Sequence, residues 1–105
     1  MVVSSLKWRL DAEGVRETPE FQGVLSLWDD AELVYIGHTK GNSSLRDNLR
    51  RFLSLREQGA LRATHMSWEI TVTPKTREGD LLQHYRQKHG VLPVYNRPAA
   101  AIQAA

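Results

Sequence analysis

The sequence predicts a small α+β domain in which a mainly antiparallel, three-stranded sheet is flanked by helices. Three observations predict it. Two β-rich runs, GVLSLW and LVYIG, lie on either side of the polar turn DDAE, as in a hairpin. Leu45, Leu49, Phe52 and Leu53 fall on one face of a helix. After that helix THMSWEITV alternates strictly between apolar and polar residues, so a third strand returns to the sheet.

With 105 residues the chain has room for one small core and no second domain. At 41% hydrophobic and 25% charged residues it matches a folded, water-soluble domain, which argues against both disorder and a membrane span. The absence of cysteine excludes a disulfide framework, a thiolate zinc site and a thiol nucleophile. The opening MVVSSLKWRL interrupts its apolar run too soon for a signal-peptide core, and the expected location is cytoplasmic.

Taken in order, residues 1–20 mix charges with Gly14 and Pro19 and read as a lead-in, with one short possible strand from Leu6 to Leu10. The domain proper starts at Phe21 and runs to residue 97. The hairpin is followed by a loop marked by Gly37, Gly41 and Asn42. Ser43 or Ser44 caps the first main helix, Asp47 stands in its first turn and Gly59 ends it. The alternating strand places Met66, Trp68, Ile70 and Val72 on one face. Thr73-Pro74 or Thr76 opens a second main helix with Leu81, Leu82 and Tyr85 as its apolar stripe and Gly90 as its stop. Glu78 precedes Leu81 and Leu82 by three and four residues, so its carboxylate leaves the helix close to the core-facing side. LPVYN is expected to be extended, Arg97-Pro98 to break the chain, and residues 98–105 to form a frayed alanine-rich tail.

Charge is distributed unevenly. Residues 1–33 carry three Lys or Arg against seven Asp or Glu, a net −4, and residues 34–105 carry eleven against five, a net +6. A polyanion partner for the later part is the expectation that follows.

Tyr35-Ile36-Gly37 at a strand end, an arginine-rich helix, an acidic residue early in a second helix and a closing Tyr95-Asn96 after a proline occur in that order over residues 21–97. In this the chain resembles the GIY-YIG nuclease superfamily. The resemblance implies a three-stranded antiparallel sheet flanked by helices and metal-dependent hydrolysis of a DNA phosphodiester. It implies Tyr35, Glu78 and Asn96 as catalytic residues, Glu78 as the ligand of Mg²⁺ or Mn²⁺ with Asp80 as the other available carboxylate, and His38 near the scissile phosphate. Such a site would use tyrosine to activate water, and arginine with the metal to stabilise charge on phosphorus and the departing oxygen.

Two positions depart from the family pattern. The first half-motif reads Gly23-Val24-Leu25, with leucine where the family has tyrosine, and the family's helix arginine falls on Asn48. Arg46, Arg50 and Arg51 are the candidates to replace that arginine. Arg46 is favoured because a first-turn position points back over the Gly37 loop, while Arg51 lies nearest the face of position 48. Arg46, Arg50, Arg51 and Lys40 are the expected nucleic-acid contacts. Singly, each residue has an ordinary explanation: a half-buried strand tyrosine, a glutamate favoured by the helix dipole, solvated arginines, a turn-shaping asparagine. With Leu25 and Asn48 in place, a degenerate module that binds nucleic acid or a protein partner without cutting is the alternative.

Overall fold

In the computed structural model, which describes residues 6–100, four strands form one antiparallel sheet in the order β1-β4-β2-β3. The strands are β1 (Trp8–Arg9), β2 (Gly23–Asp29), β3 (Glu32–His38) and β4 (His65–Ile70). The helices are α1 (Ala12–Glu17), α2 (Leu45–Glu57) and α3 (Pro74–His89). The α+β class and the antiparallel sheet are as expected, with one more strand than the three predicted. The added strand lies within the possible strand expected at Leu6 to Leu10 of the lead-in: β1 pairs Trp8 with Met66 and Arg9 with His65, and Trp8 stacks on Trp68 at 5.0 Å.

The sheet is covered on both faces. On one, Leu25, Leu27 and Met66 pack with Leu45, Leu49, Phe52 and Leu53 of α2 and with Val15 of α1. On the other, Val24, Leu33 and Ile36 pack with Leu81 of α3, with Trp28, Leu82 and Tyr85 half-buried beside them. Full burial of a side chain of this size stabilises by about 1.5–3 kcal/mol, so the two layers hold each helix in place. Part of the first layer is supplied by residues 10–18: Leu10, Val15 and Thr18 are buried. The lead-in is therefore built into the fold.

The hairpin turns at Asp30, which takes φ 53° and donates its backbone N–H to Thr64 Oγ1 at 2.7 Å. A bulge between Leu27 and Trp28 adds Val34 to β3, so Val34 and Tyr35 both pack on the α2 side. Helix α2 starts in a capping box: Asp47 N–H donates to Ser44 Oγ, and Ser44 N–H donates to the Asp47 carboxylate. Gly59 and Gly90 have φ +80° and +78° and end α2 and α3, as predicted.

Two stretches differ from expectation. Strand β4 stops at Ile70, and Ile70 and Val72, expected on the covered face, are exposed. LPVYN is not extended: Val94–Asn96 forms a 3₁₀ turn, followed by another at Pro98–Ala100. The frayed tail predicted at 98–105 otherwise falls at residues 101–105, outside the described residues. No helix among the described residues is long and apolar enough to cross a membrane.

Candidate functional site

The end of the outer strand β3 gathers side chains from four elements. Tyr35 and Gly37 share a face two residues apart, and the Tyr35 ring lies across Gly37: a Cβ at position 37 would sit 2.6–2.9 Å from Cε2, Cζ and the hydroxyl. Glycine is the residue that leaves this space. The ring also packs on Phe52 of α2, with centroids 5.2 Å apart.

His38 points to the opposite face, toward α3, where its Nδ1 lies 2.6 Å from Glu78 Oε2. Both side chains are mostly buried, at 15% and 22% exposure. With Glu78 ionised, Nδ1 carries the proton and donates; in the neutral imidazole Nε2 is then an acceptor, and in the imidazolium it is a second donor. Helix α3 is set at this height by Arg77, whose Nε and Nη2 donate to the two Glu69 oxygens of β4 at 2.8 and 3.1 Å. Across the strand, Thr39 exchanges bonds with Gly23: Thr39 N–H donates to Gly23 O, and Gly23 N–H donates to Thr39 Oγ1, both at 3.0 Å. These bonds fix the end of β3 where His38 leaves it.

The charge of Glu78, on the other face of β3, acts on Tyr35. Burial first, and Glu78 second, push the Tyr35 hydroxyl above the ordinary pKa of a phenol, while the positive charge of Arg51 on α2 opposes them. At neutral pH Tyr35 is therefore a phenol and a hydrogen-bond donor.

Asn96 closes the free edge. Its Nδ2 donates to Ile36 O and its Oδ1 accepts from Ile36 N–H, both at 2.9 Å, so the side-chain amide pairs with the strand as a neighbouring peptide would. Both ends of the amide are spent on backbone.

The predicted site residues thus divide. His38 and Glu78 touch on the α3 side of β3, Tyr35 lies over Gly37 on the α2 side, Asn96 buttresses the strand at Ile36 between them, and Arg51 is the arginine whose charge reaches Tyr35. Arg46, favoured from sequence, turns the other way: its Nε donates to Thr18 O at 2.9 Å and its Nη1 is paired with Glu20. The lead-in supplies both partners, from residues 18 and 20, beyond the short strand expected at Leu6 to Leu10. Arg50 is exposed beside Asp47 at 3.7 Å, and Lys40 is exposed in the loop before α2. Asp80 is exposed too, and its charge acts on Arg77. Leu25 is buried in the α2 layer, and Asn48 is buried with its Nδ2 donating to Ser44 O at 2.8 Å, so neither presents a group to the site. The His38–Glu78 contact was missed from sequence. Its signal was present: strand parity places His38 on the face of Ile36, and Glu78 leaves α3 beside the residues that cover that face.

An α+β domain with helices on both faces of its sheet, and a tyrosine, a histidine and a carboxylate at the end of its outer strand, is the class that fold and site define. The chain belongs to the family described as a domain of unknown function, DUF7508, whose model matches residues 4–88. That span contains Tyr35, His38, Arg51 and Glu78 and stops short of Asn96. No curated protein and no solved structure matches the chain.

Proposed function

We propose that this domain is a GIY-YIG-type endonuclease that hydrolyses phosphodiester bonds of DNA with a divalent cation. The observation that carries the reading is the contact of His38 with Glu78 on one face of the end of β3, with the Tyr35 ring lying on Gly37 on the other face and the charges of Glu78 and Arg51 both acting on it.

Among the described residues no cluster of three or more acidic or histidine side chains could hold a metal ion alone. A hard cation such as Mg²⁺ or Mn²⁺ would be kept by Glu78 together with phosphate oxygens and water, a donor set that Mg²⁺ accepts. Glu78 fits that role because Oε2 faces His38 while Oε1 has no hydrogen-bond partner among the described residues, and the side chain keeps 22% exposure. When bound, the cation would neutralise charge on the phosphate and lower the pKa of a coordinated water.

The chain's own groups have separable tasks. His38, held through Nδ1, presents Nε2 to take a proton from the attacking water. Tyr35, a phenol, donates to a phosphate oxygen, and Arg51 stabilises the charge added there. Asn96 is a positioning residue that fixes Ile36 between Tyr35 and His38.

A second reading, binding without cleavage, is favoured by the burial of Leu25 and Asn48 where the family pattern has a tyrosine and an arginine, and by the engagement of Arg46 with Thr18 and Glu20. One experiment separates them. Supercoiled plasmid with Mg²⁺ or Mn²⁺ is expected to be nicked, with about 10²-fold loss in Glu78→Ala and His38→Ala and retained retardation of DNA at low salt. Retardation that weakens steeply with salt, without nicking, selects the binding module. Neither nicking nor retardation overturns both.

A further inference from the structure

At the far end of α3 from Glu78 lies a hollow, open to solvent, of about 390 Å³. Glu78 stands in the second turn of the helix, and Tyr85 and His89 follow seven and eleven residues later, about 10–16 Å along the axis. Leu33 and Leu81, both buried, form the floor; Trp28 and Tyr85 form the walls.

The walls are set before anything enters. Trp28 Nε1 donates to the buried Ser67 Oγ at 3.1 Å, and Lys7 Nζ stands 4.4 Å from the Trp28 ring centroid while donating to Asp30 O. Tyr85 and His89, one turn apart, hold their rings 4.2 Å apart at 33°. At the rim, the Lys88 ammonium and the imidazoles of His84 and His89 stand on α3, across from the carboxylate of Glu32 on the hairpin. An apolar floor, fixed aromatic walls and a few polar groups at the mouth, at this volume, are the features of a small-molecule site. Aromatic walls select a flat body, and the Lys88 ammonium, on the α3 side away from Glu32, selects an acidic group at one end of it.

We propose that this hollow binds a small organic anion with a flat, apolar ring body, seated between Trp28 and Tyr85 with its acidic group toward Lys88. It does not depend on the nuclease reading, since no residue is shared with the Tyr35–Glu78 site.

The probe is 8-anilinonaphthalene-1-sulfonate, with the uncharged N-phenyl-1-naphthylamine as its control, followed by chemical-shift changes in the full chain. The sulfonate is expected to move the Trp28 indole N–H and the Ala31 and Tyr85 signals, and to bind about fivefold or more tightly than the neutral probe. Lys88→Glu, an exposed change, should weaken the sulfonate by a similar factor and leave the neutral probe unchanged. Tyr85→Ala should weaken both probes. Equal affinity for the two probes, indifference to Lys88→Glu, or shifts centred on Trp8 and Trp68 would each overturn the proposal.

Discussion

Position 37 shows how one missing side chain shapes the site. The Tyr35 ring occupies the space a Cβ would take, and that placement buries the phenol under α2 and brings it within reach of the charge on Glu78. The raised pKa has a consequence with a definite sign. The folded state holds the Tyr35 proton more tightly than the unfolded chain, so the associated stability is present below about pH 10 and is lost as pH rises through the higher folded value. Phenolate absorbance should therefore show one of the three tyrosines titrating late, and Tyr35→Phe should remove that late step and flatten the alkaline fall in stability. Three tyrosines titrating together would refute this placement of the ring. The identity of Tyr35 was legible in the sequence; its protonation state was not, because it depends on burial and on a charge 43 positions away.

Among the elements, α2 was the most legible, since its 3.6-residue apolar pattern and its capping serine are both local features. The capping box that starts it joins Ser44 and Asp47, and hydrogen bonds from Ser44 backbone and side chain hold the Asp47 carboxyl below the usual carboxylate range. Ser44→Ala is expected to cost about 1 kcal/mol in denaturant unfolding. It should also bring the Asp47 titration up toward normal. In the wild type the Asp47 contribution is present above the unfolded pKa and lost as pH falls through the lower folded one. A Ser44→Ala chain with unchanged stability would show that the box does not hold the helix start. Strand β4 was legible in phase and not in length: alternation continues to Val72, while pairing and cover stop near Ile70. Alternation reports which side a residue faces, and whether anything covers that side is a tertiary matter.

For the molecule as a whole, the first 20 residues mark the largest difference between sequence and structure. They read as a lead-in because their apolar residues are few and follow no sustained period. Yet Leu10, Val15 and Thr18 are buried, β1 extends the sheet, and Thr18 and Glu20 engage Arg46. A chain beginning at residue 21 should lose cooperative unfolding, because removing these side chains uncovers Met66 and part of the α2 layer. A truncated chain that melts as sharply and as late as the full one would restore the lead-in reading. The same contacts qualify the charge asymmetry: the acidic first part neutralises Arg46 of the basic second part. Arg51 is the arginine whose charge reaches Tyr35, and Arg50 and Lys40 stand exposed.

Sequence alone determined the class of fold, the hairpin, the two main helices with their stops, and the candidacy of Tyr35, His38, Glu78 and Asn96. Each of these rests on local pattern, or on the order of residues along the chain. Tertiary structure decided which arginine acts on Tyr35, that His38 and Glu78 touch, that Asn96 serves as an edge cap, and that the lead-in is core. Those depend on elements far apart in sequence meeting at particular heights and rotations: α3 is seated by Arg77 on Glu69, and β3 is closed by an amide 60 residues away. Such docking is set by the packing of two whole layers, and no local period encodes it.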